Sequence, residues 1–212
     1  MIRVSVISLQ SFLVKHEFLE TIKVVDGKAL HIEYHQARYE SVLDEFHASK
    51  YHSLEKLLTD APKEGLFRCR IVYASEGVLC VSYHPYVKRS IEKIKLIEVP
   101  AAFEYAKKYA NRRELDAFFE QREHCDDVLM AQDGFVKDTT IANIALLREG
   151  VWYTPKSPLL KGTTRQRLLD NGKIKEAQIK VDELYGYESL ALMNAMIDFD
   201  IIQNKSIEDI VC

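Results

Sequence analysis

Apolar and polar residues alternate along several short stretches of this chain, and this period of two predicts β-strands. The alternation is clear at residues 3–9 and again at residues 18–25. An Asp26-Gly27 pair follows the second run, and Asp-Gly is typical of tight hairpin turns because both residue types tolerate positive φ. A further strand is therefore expected near residues 29–32. The beginning of the chain is predicted to form an antiparallel meander.

A helical period replaces the alternation after this meander. Apolar positions recur at spacings of three and four over residues 33–48, which predicts a helix of about three to four turns. His35 and Arg38 are three residues apart and share one helix face. Arg38 offers a planar fork to a phosphate, whereas His35 fits a packed structural role better than catalysis. Shorter helices are predicted at residues 53–58, 112–124 and from 164 onward.

The remaining apolar runs predict the strands of two α+β domains. These runs lie at residues 66–74, 78–84, 91–99, 127–131, 144–147, 151–153 and 189–193. The first three are expected to complete a small domain at residues 1–102, and the others belong to a second domain at residues 103–212. A ligand cavity is expected in the cleft between two such domains.

Composition narrows the classes of function. The chain has 212 residues, 47% of them hydrophobic, which is enough to bury a substantial core. The formal net charge of −3 gives no basic surplus for nucleic acid or an anionic membrane surface. The four cysteines lack CxxC spacing and a histidine cluster, which argues against a metal site and a disulfide framework. Without a signal-peptide pattern or membrane span at the start, we expect a cytoplasmic protein.

Three short segments carry residues suited to cofactor chemistry. Lys108 precedes a polar helix, and its amine can form a Schiff base with an aldehyde once burial lowers its pKa. Asp138, in the run FVKDTT, is suited to balance a pyridinium nitrogen. Gly162 precedes a helix whose free amides suit a phosphate. Each residue also has a plainer explanation, as a solvated lysine, a turn aspartate or part of an ordinary helix cap. Together they indicate pyridoxal phosphate.

The order of these segments resembles that of class IV aminotransferases. The motifs that carry the resemblance, from Phe18 to Met196, are LETIKVVDGK, YHQARYE, KYANR, VKDTTIAN, YTP, LLKGTTR and YESLALMNAM. The resemblance implies the α+β architecture of fold-type IV pyridoxal phosphate enzymes, like that of D-amino acid aminotransferase, with the cofactor in the cleft between two domains. This chain looks like a short form of that pattern.

The resemblance also implies roles for individual residues. Lys108 is implied to be the Schiff-base lysine, Asp138 the partner of the pyridine nitrogen, and Arg38 a ligand of the cofactor phosphate. Further cofactor contacts are implied for Asn143, Thr163, Thr164, Asn194 and Ala195. Substrate contacts are expected from Glu20, Tyr86 and Arg89.

Two positions depart from the family pattern. Most members have glutamate where this chain has Asp138, so the contact with the pyridine nitrogen needs a small backbone adjustment. Many aminotransferases carry an aromatic residue where Leu19 precedes Glu20, a position that helps to hold substrate. The resemblance therefore constrains the cofactor more tightly than the substrate.

The short form and the KYANR motif resemble aminodeoxychorismate lyases more than branched-chain aminotransferases. The resemblance implies a homodimeric enzyme of folate biosynthesis that releases pyruvate and 4-aminobenzoate, with an aminodeoxychorismate synthase component as a candidate partner. Transamination of branched-chain or D-amino acids is the alternative. Cofactor binding without turnover is a second alternative. The lyase and the aminotransferase would use the same residues, so the residues alone leave both open.

Overall fold

The computed structural model describes residues 16–48, 51–202 and 205–212. The strand expected at residues 3–9 lies outside these ranges. The strands are β1 Phe18–Val25, β2 Lys28–Ala29, β3 Leu66–Ala74, β4 Gly77–Pro85, β5 Ile94–Glu98, β6 Asp127–Gln132, β7 Phe135–Thr139, β8 Asn143–Arg148, β9 Val151–Pro155, β10 Lys175–Ala177, β11 Ser189–Asn194 and β12 Asp198–Ile201. The α-helices are α1 Ile32–Glu45, α2 Arg113–Phe119, α3 Thr163–Asp170 and α4 Ile207–Ile210. None of the helices in these ranges is both long and apolar enough to cross a bilayer.

The first sheet is antiparallel with strand order β2-β1-β3-β4, so it contains the predicted β1–β2 hairpin, but β1 lies between β2 and β3 and the sheet is not a simple meander. β1 pairs with β3 along its whole length and with β2 through a hairpin. The predicted Asp26-Gly27 turn is present, with φ of 47° and 79°. β2 is shorter than expected because the backbone reverses at His31, with φ of 54°, directly before α1.

One face of this sheet packs against α1. Ile22 and Val24 of β1 and Ile71 of β3 are fully buried together with Tyr39 and Leu43 of the helix. Burying a large apolar side chain contributes about 1.5–3 kcal/mol, so this layer accounts for much of the stability of the first sheet. The opposite face of the sheet remains available to line a cavity.

The rest of the chain forms two further sheets, with orders β10-β9-β8-β11-β12 and β5-β6-β7. β5 pairs in parallel with β6, with Ile94 opposite Asp127. The strand predicted at residues 91–99 is thus present as β5, and it belongs to a different sheet from β1, β3 and β4. Apolar residues identified the strand, but they do not identify its partner. The division into residues 1–102 and 103–212 stays a prediction.

Smaller differences concern helix type and extent. The helix expected at 53–58 is a 3-10 turn at Glu55–Leu58, and the helix expected at 112–124 is α2 followed by a 3-10 turn at Glu120–Arg122. β12 had no counterpart among the expected strands. It pairs with β11 from Ala191 to Asn194, and its four residues DFDI alternate over too short a length to predict a strand.

Candidate active site

A cavity of about 320 Å³ lies between the first sheet and the two C-terminal sheets. Its lining comes from β1 and β3, the segment around Lys108, the turn from β7 into β8, the start of α3 and the end of β11. This volume is within the range of small-molecule sites, and the position between two layers is the usual one. The cavity is therefore the candidate active site.

The wall from the first sheet follows from strand alternation. Successive side chains of a strand point to opposite faces, so Leu19 and Thr21 of β1 line the cavity while Ile22 packs against α1. Arg68 and Arg70 of β3 line the cavity from the same face. This wall consequently presents two guanidinium groups.

Lys108 is held against the beginning of β1 by backbone hydrogen bonds. The amide of Leu19 donates to the Lys108 carbonyl at 2.8 Å, and the amide of Ala110 donates to the Glu17 carbonyl at 2.8 Å. These bonds extend the first sheet by a short antiparallel pairing. Since the backbone is fixed on both sides of Lys108, its half-buried side chain is directed into the cavity.

The environment of Lys108 favours the neutral amine. Burial lowers its pKa most, the charge of Arg38 lowers it further, and the carboxylate of Glu20 opposes them, with a result of about 7. A large fraction of the amine is therefore unprotonated at neutral pH. An unprotonated amine is the form that attacks an aldehyde carbon or accepts a proton.

Asp138 lies on β7 with both carboxyl oxygens held. Oδ1 accepts a hydrogen bond from Asn143 Nδ2 at 2.8 Å, and Oδ2 accepts one from the backbone amide of Leu160 at 2.9 Å. Burial raises its pKa to about 6 even though these donors favour the charged form. A cationic ring nitrogen beside this carboxyl would pair with a group that is already oriented.

Asn143 connects Asp138 to the loop before α3. The same Nδ2 that binds Asp138 also donates to the Leu160 carbonyl at 2.7 Å. A Cβ atom at Gly162 would lie 2.0 Å from Asn143 Oδ1, so this position accommodates only glycine unless Asn143 moves. The glycine thus permits a close approach of the loop to Asn143.

The start of α3 offers free amides to an anion. Gly162 is the N-cap residue, and as a glycine it has no side chain to bind the first amides of the helix. The buried Thr163 and Thr164 follow it and line the cavity. The first amides of a helix have no acceptor within the helix, and the helix dipole adds positive potential there. Arg165 is committed elsewhere, since its Nη2 donates to the Pro155 carbonyl at 2.9 Å and to Glu176 at 2.7 Å.

Arg38 reaches the cavity from α1 and is oriented by Glu20. Its Nε and Nη2 donate to the two Glu20 oxygens at 2.8 and 2.7 Å, and His35 Nδ1 lies 2.6 Å from Glu20 Oε2. Burial would raise the pKa of Glu20, but the charge of Arg38 and the hydrogen bonds from both partners lower it to about 2. Nη1 is the guanidinium nitrogen left for a ligand in the cavity.

Glu20, for which a substrate contact was expected, does not line the cavity. Its side chain is 0% exposed and points to the α1 side of the sheet, opposite to its neighbours Leu19 and Thr21. The strand was predicted correctly, but alternation does not show which of its two faces meets the helix. Glu20 is a positioning residue for Arg38.

Arg89, for which a substrate contact was also expected, lies outside the cavity lining as well. Its Nη2 donates to the Asp126 carbonyl at 2.8 Å and its guanidinium lies over the Phe119 ring, outside the cavity lining. Basic and aromatic residues are close together in this part of the sequence, but only Tyr86 among the expected substrate contacts lines the cavity.

The other expected ligand residues do line the cavity. They are Arg38, Tyr86, Lys108, Asp138, Asn143, Thr163, Thr164, Asn194 and Ala195. Asn194 shapes the loop after β11, because its Oδ1 accepts from the amide of Met196 at 2.9 Å and its Nδ2 donates to the Ile141 carbonyl at 3.1 Å. The structure thus brings these residues together, while their binding roles stay predictions.

Three lining arginines were missed from the sequence, namely Arg68, Arg70 and Arg112. Arg68 and Arg70 occupy alternate positions of β3, and this spacing could have predicted that both arginines lie on one face of the strand. Arg112 is the last residue of the KYANR motif, but no contact in the cavity was assigned to it. Its Nη2 donates to the Thr140 carbonyl at 2.9 Å, a contact across 28 residues that fastens the Lys108 segment to the turn after β7.

A group of thiols outside the cavity was missed as well. Cys125 Sγ and Cys212 Sγ lie 2.7 Å apart, and His124 places a ring nitrogen within 4.8 Å of both. The cysteines are free thiols. The sequence could not indicate this group because 87 residues separate the two cysteines.

The donor set as a whole fits a phosphate-bearing aldehyde with a basic ring nitrogen. The amine of Lys108 can react with the aldehyde, and the buried carboxyl of Asp138 can pair with the protonated ring nitrogen. Arg38 and the first amides of α3 can bind the phosphate. These described residues together offer a partner for the aldehyde, the ring nitrogen and the phosphate of such a molecule.

The match to known proteins extends over most of the chain. Residues 17–203 match the family model described as amino-transferase class IV. An uncharacterised protein of Haemophilus influenzae is 33% identical over 186 residues, which cover 85% of this chain and 98% of that protein. A shorter match, 41% identical over 75 residues, covers 33% of this chain and 32% of a protein of Schizosaccharomyces pombe provisionally named an aminodeoxychorismate lyase.

Solved structures show the same extent of similarity. A protein of Haemophilus somnus 129PT, provisionally named a 4-amino-4-deoxychorismate lyase, matches with a TM-score of 0.79 and 32% identity, covering 85% of this chain and 96% of its own. A protein of Mesorhizobium loti, provisionally named an amino-acid aminotransferase, matches with a TM-score of 0.75 and 25% identity, covering 87% of this chain and 97% of its own.

Proposed function

This chain belongs to the amino-transferase class IV family, and from that premise we propose that it is a pyridoxal phosphate-dependent lyase that converts aminodeoxychorismate to pyruvate and 4-aminobenzoate. The observation that carries the proposal is a single cavity in which the Lys108 amine, with a pKa of about 7, lies with the buried carboxyl of Asp138 and the start of α3. The choice of a lyase is supported by the two relatives provisionally named as such lyases.

Each part of the cofactor has a proposed partner in the cavity. Lys108 would hold the aldehyde carbon, Arg38 and the first amides of α3 would hold the phosphate, and Asp138 would pair with the pyridine nitrogen. When bound, the cofactor supplies an electron sink for the charge that develops at the carbon bearing the substrate amine. Asn143 and the Leu160 amide keep Asp138 oriented, and the cationic ring nitrogen favours its charged form despite burial.

Lys108 does the proton transfer in this proposal. The substrate amine takes the place of Lys108 at the cofactor, and the freed Nζ then accepts the proton from the ring carbon that bears the substrate amine. The bond between the neighbouring ring carbon and the ether oxygen of the enolpyruvyl group then breaks, and the ring becomes aromatic. The proton returns to the methylene carbon of the departing group, which leaves as pyruvate. No keto acid is consumed, so the reaction can repeat without a second substrate.

The test is pyruvate release without a keto acid. We expect purified protein loaded with pyridoxal phosphate to release pyruvate from aminodeoxychorismate over many turnovers. Lys108→Ala should abolish both turnover and the visible absorbance of bound cofactor, whereas its neighbour Lys107→Ala should retain both, because Lys107 makes a surface ion pair with Glu45 outside the cavity. Asp138→Asn should retain the cofactor and slow turnover by at least about a hundredfold, since its charge matters most as the carbanion forms.

The aminotransferase alternative has a different signature. It is favoured by the relative provisionally named an amino-acid aminotransferase. Rapid conversion of the bound cofactor to its amine form by branched-chain or D-amino acids, with no pyruvate from aminodeoxychorismate, would replace the lyase with this alternative. A colourless protein that takes up no pyridoxal phosphate would contradict both.

A further inference from the structure

The charges on the cavity wall are unbalanced. Within the described residues, the lining contains the cations Arg38, Arg68, Arg70, Lys108 and Arg112 and the single carboxyl Asp138. These five side chains are half-buried, and partly desolvated cations gain from an anionic partner, so a cavity with this excess is suited to an anionic ligand. Several of these cations already have a partner or a role, and the remaining ones indicate where further ligand charge is needed.

Three of the five cations are accounted for. Arg38 is held by Glu20 and is proposed to bind the cofactor phosphate. Lys108 is proposed to hold the cofactor aldehyde. Arg112 donates to the Thr140 carbonyl and faces Asp116 at 3.6 Å. These contacts use the guanidinium of Arg112 to fasten the backbone.

Arg68 and Arg70 have no such commitment. In the part of the chain that the structure describes, neither has a hydrogen-bond or ion-pair partner, and Arg68 Nε is buried without an acceptor. A buried donor without a partner destabilises the protein unless a ligand satisfies it. A buried Arg68 Nε without an acceptor, beside the half-buried Arg70 on the same cavity wall, is therefore best explained by ligand binding.

The two arginines lie at different distances from the reacting amine. The β1–β3 register places Arg70 nearer than Arg68 to Leu19, whose amide binds the Lys108 carbonyl. The charge of Arg70 is also close enough to contribute to the lowered pKa of Lys108. Two positions along a strand span about 6.4–6.8 Å. Arg68 is therefore displaced by roughly this distance from Arg70, away from Lys108, so one small carboxylate near Lys108 would not satisfy both.

We propose that Arg70 and Arg68 bind two separate carboxylates of the substrate, so that the amine accepted in this cavity is a dicarboxylate. The inference rests on the proposed function in one respect, namely that the substrate amine reacts at Lys108. An amino acid with an apolar side chain would leave the buried Nε of Arg68 unpaired, so this wall selects against branched-chain substrates. Specificity of this kind comes from a polar group that the wrong ligand fails to satisfy.

Binding of two inert acids tests the second carboxylate directly. Isophthalate and benzoate share one aromatic ring and differ by one carboxylate, and neither has an amine to react. Calorimetric titration is run on protein with and without bound pyridoxal phosphate. We expect isophthalate to bind at least about tenfold more tightly than benzoate, as a charge-assisted contact to one arginine would give.

Substitutions identify the arginine responsible. Arg68→Gln should reduce the preference for isophthalate to about threefold or less, and Arg68→Lys should retain part of it because the charge remains. Arg70→Gln should weaken the binding of both acids. The control is Arg113→Gln, which removes an exposed guanidinium outside the cavity lining and should leave both affinities unchanged. Thermal unfolding of each variant confirms that it is folded.

The results separate this inference from the proposed function. Equal binding of the two acids by the unaltered protein, or an unchanged preference in folded Arg68→Gln, would overturn the second carboxylate site even if pyruvate is released. A preference for isophthalate that Arg68→Gln removes, in a protein that releases no pyruvate, would support the site and overturn only the lyase.

Discussion

Replacing Glu20 by glutamine should destabilise the protein by about 3 kcal/mol. Glu20 is fully buried, and Arg38 and His35 bind its two oxygens. Its pKa falls from the ordinary 4.5 to about 2, which at ~1.4 kcal/mol for each pH unit corresponds to about 3 kcal/mol of favourable interaction with the charged form. The neutral amide keeps the shape of the side chain but leaves the Arg38 guanidinium without its charge partner.

The assay is urea unfolding of both proteins at neutral pH, with the free energy of unfolding obtained by linear extrapolation. Glu64→Gln is the matched control, because Glu64 is exposed and its loss should change the stability by less than about 0.5 kcal/mol. A loss for Glu20→Gln no larger than that of the control would refute the assigned role of Glu20 as a buried charge partner.

The pH dependence provides a second check with a defined sign. Because the folded-state pKa of Glu20 lies below its ordinary value, the unfolded chain binds the proton first as the pH falls. The stabilisation is therefore fully present above about pH 4.5 and is lost progressively towards pH 2. The stability difference between the unaltered protein and Glu20→Gln should shrink over this window. A difference that stays constant would contradict the argument.

Three further predictions address the cavity and the assembly. In protein freed of pyridoxal phosphate, Lys108 should be labelled by an amine-specific acylating reagent with a midpoint near pH 7, because the neutral amine reacts and burial lowers its pKa to about 7. Peptide mass spectrometry follows the labelling, and a midpoint near the ordinary 10.5 would show that the amine is not desolvated. Gly162→Ala should destabilise the protein by about 1–3 kcal/mol in urea unfolding, since the new Cβ would lie 2.0 Å from Asn143 Oδ1. Gly186→Ala is the control and should destabilise the protein less, because its Cβ would meet only the flexible end of Arg148 at 3.2 Å. Equal losses of stability in the two variants would exclude the clash. Light scattering should show a homodimer, as expected from the family resemblance, and a monomer at working concentration would count against it.

The motifs and their order were enough to identify the family, and the family match over residues 17–203 confirms that identification. The reason is that cofactor chemistry depends on particular residue types in a set order along the chain. Lys108, Asp138 and the Gly162 turn could each be located in this way. The roles implied for the individual residues still depend on the experiments above.

Local patterns also predicted most of the strands, because alternation and Asp-Gly turns act over a few residues. The Asp26-Gly27 hairpin was predicted because it needs only its own residues. The partner of β5 could not be predicted in the same way, since parallel pairing with β6 is a contact between distant segments.

The position of Glu20 shows where local information ends. The sequence by itself determined that Glu20 and Leu19 lie on opposite faces of one strand, because side chains alternate. Only the packing of α1 decided which face is covered, and it placed Glu20 beneath Arg38 and Leu19 in the cavity. The same packing left Arg68 and Arg70 on the open face. A strand has two equivalent faces until another element covers one of them, so this choice was made by the tertiary structure.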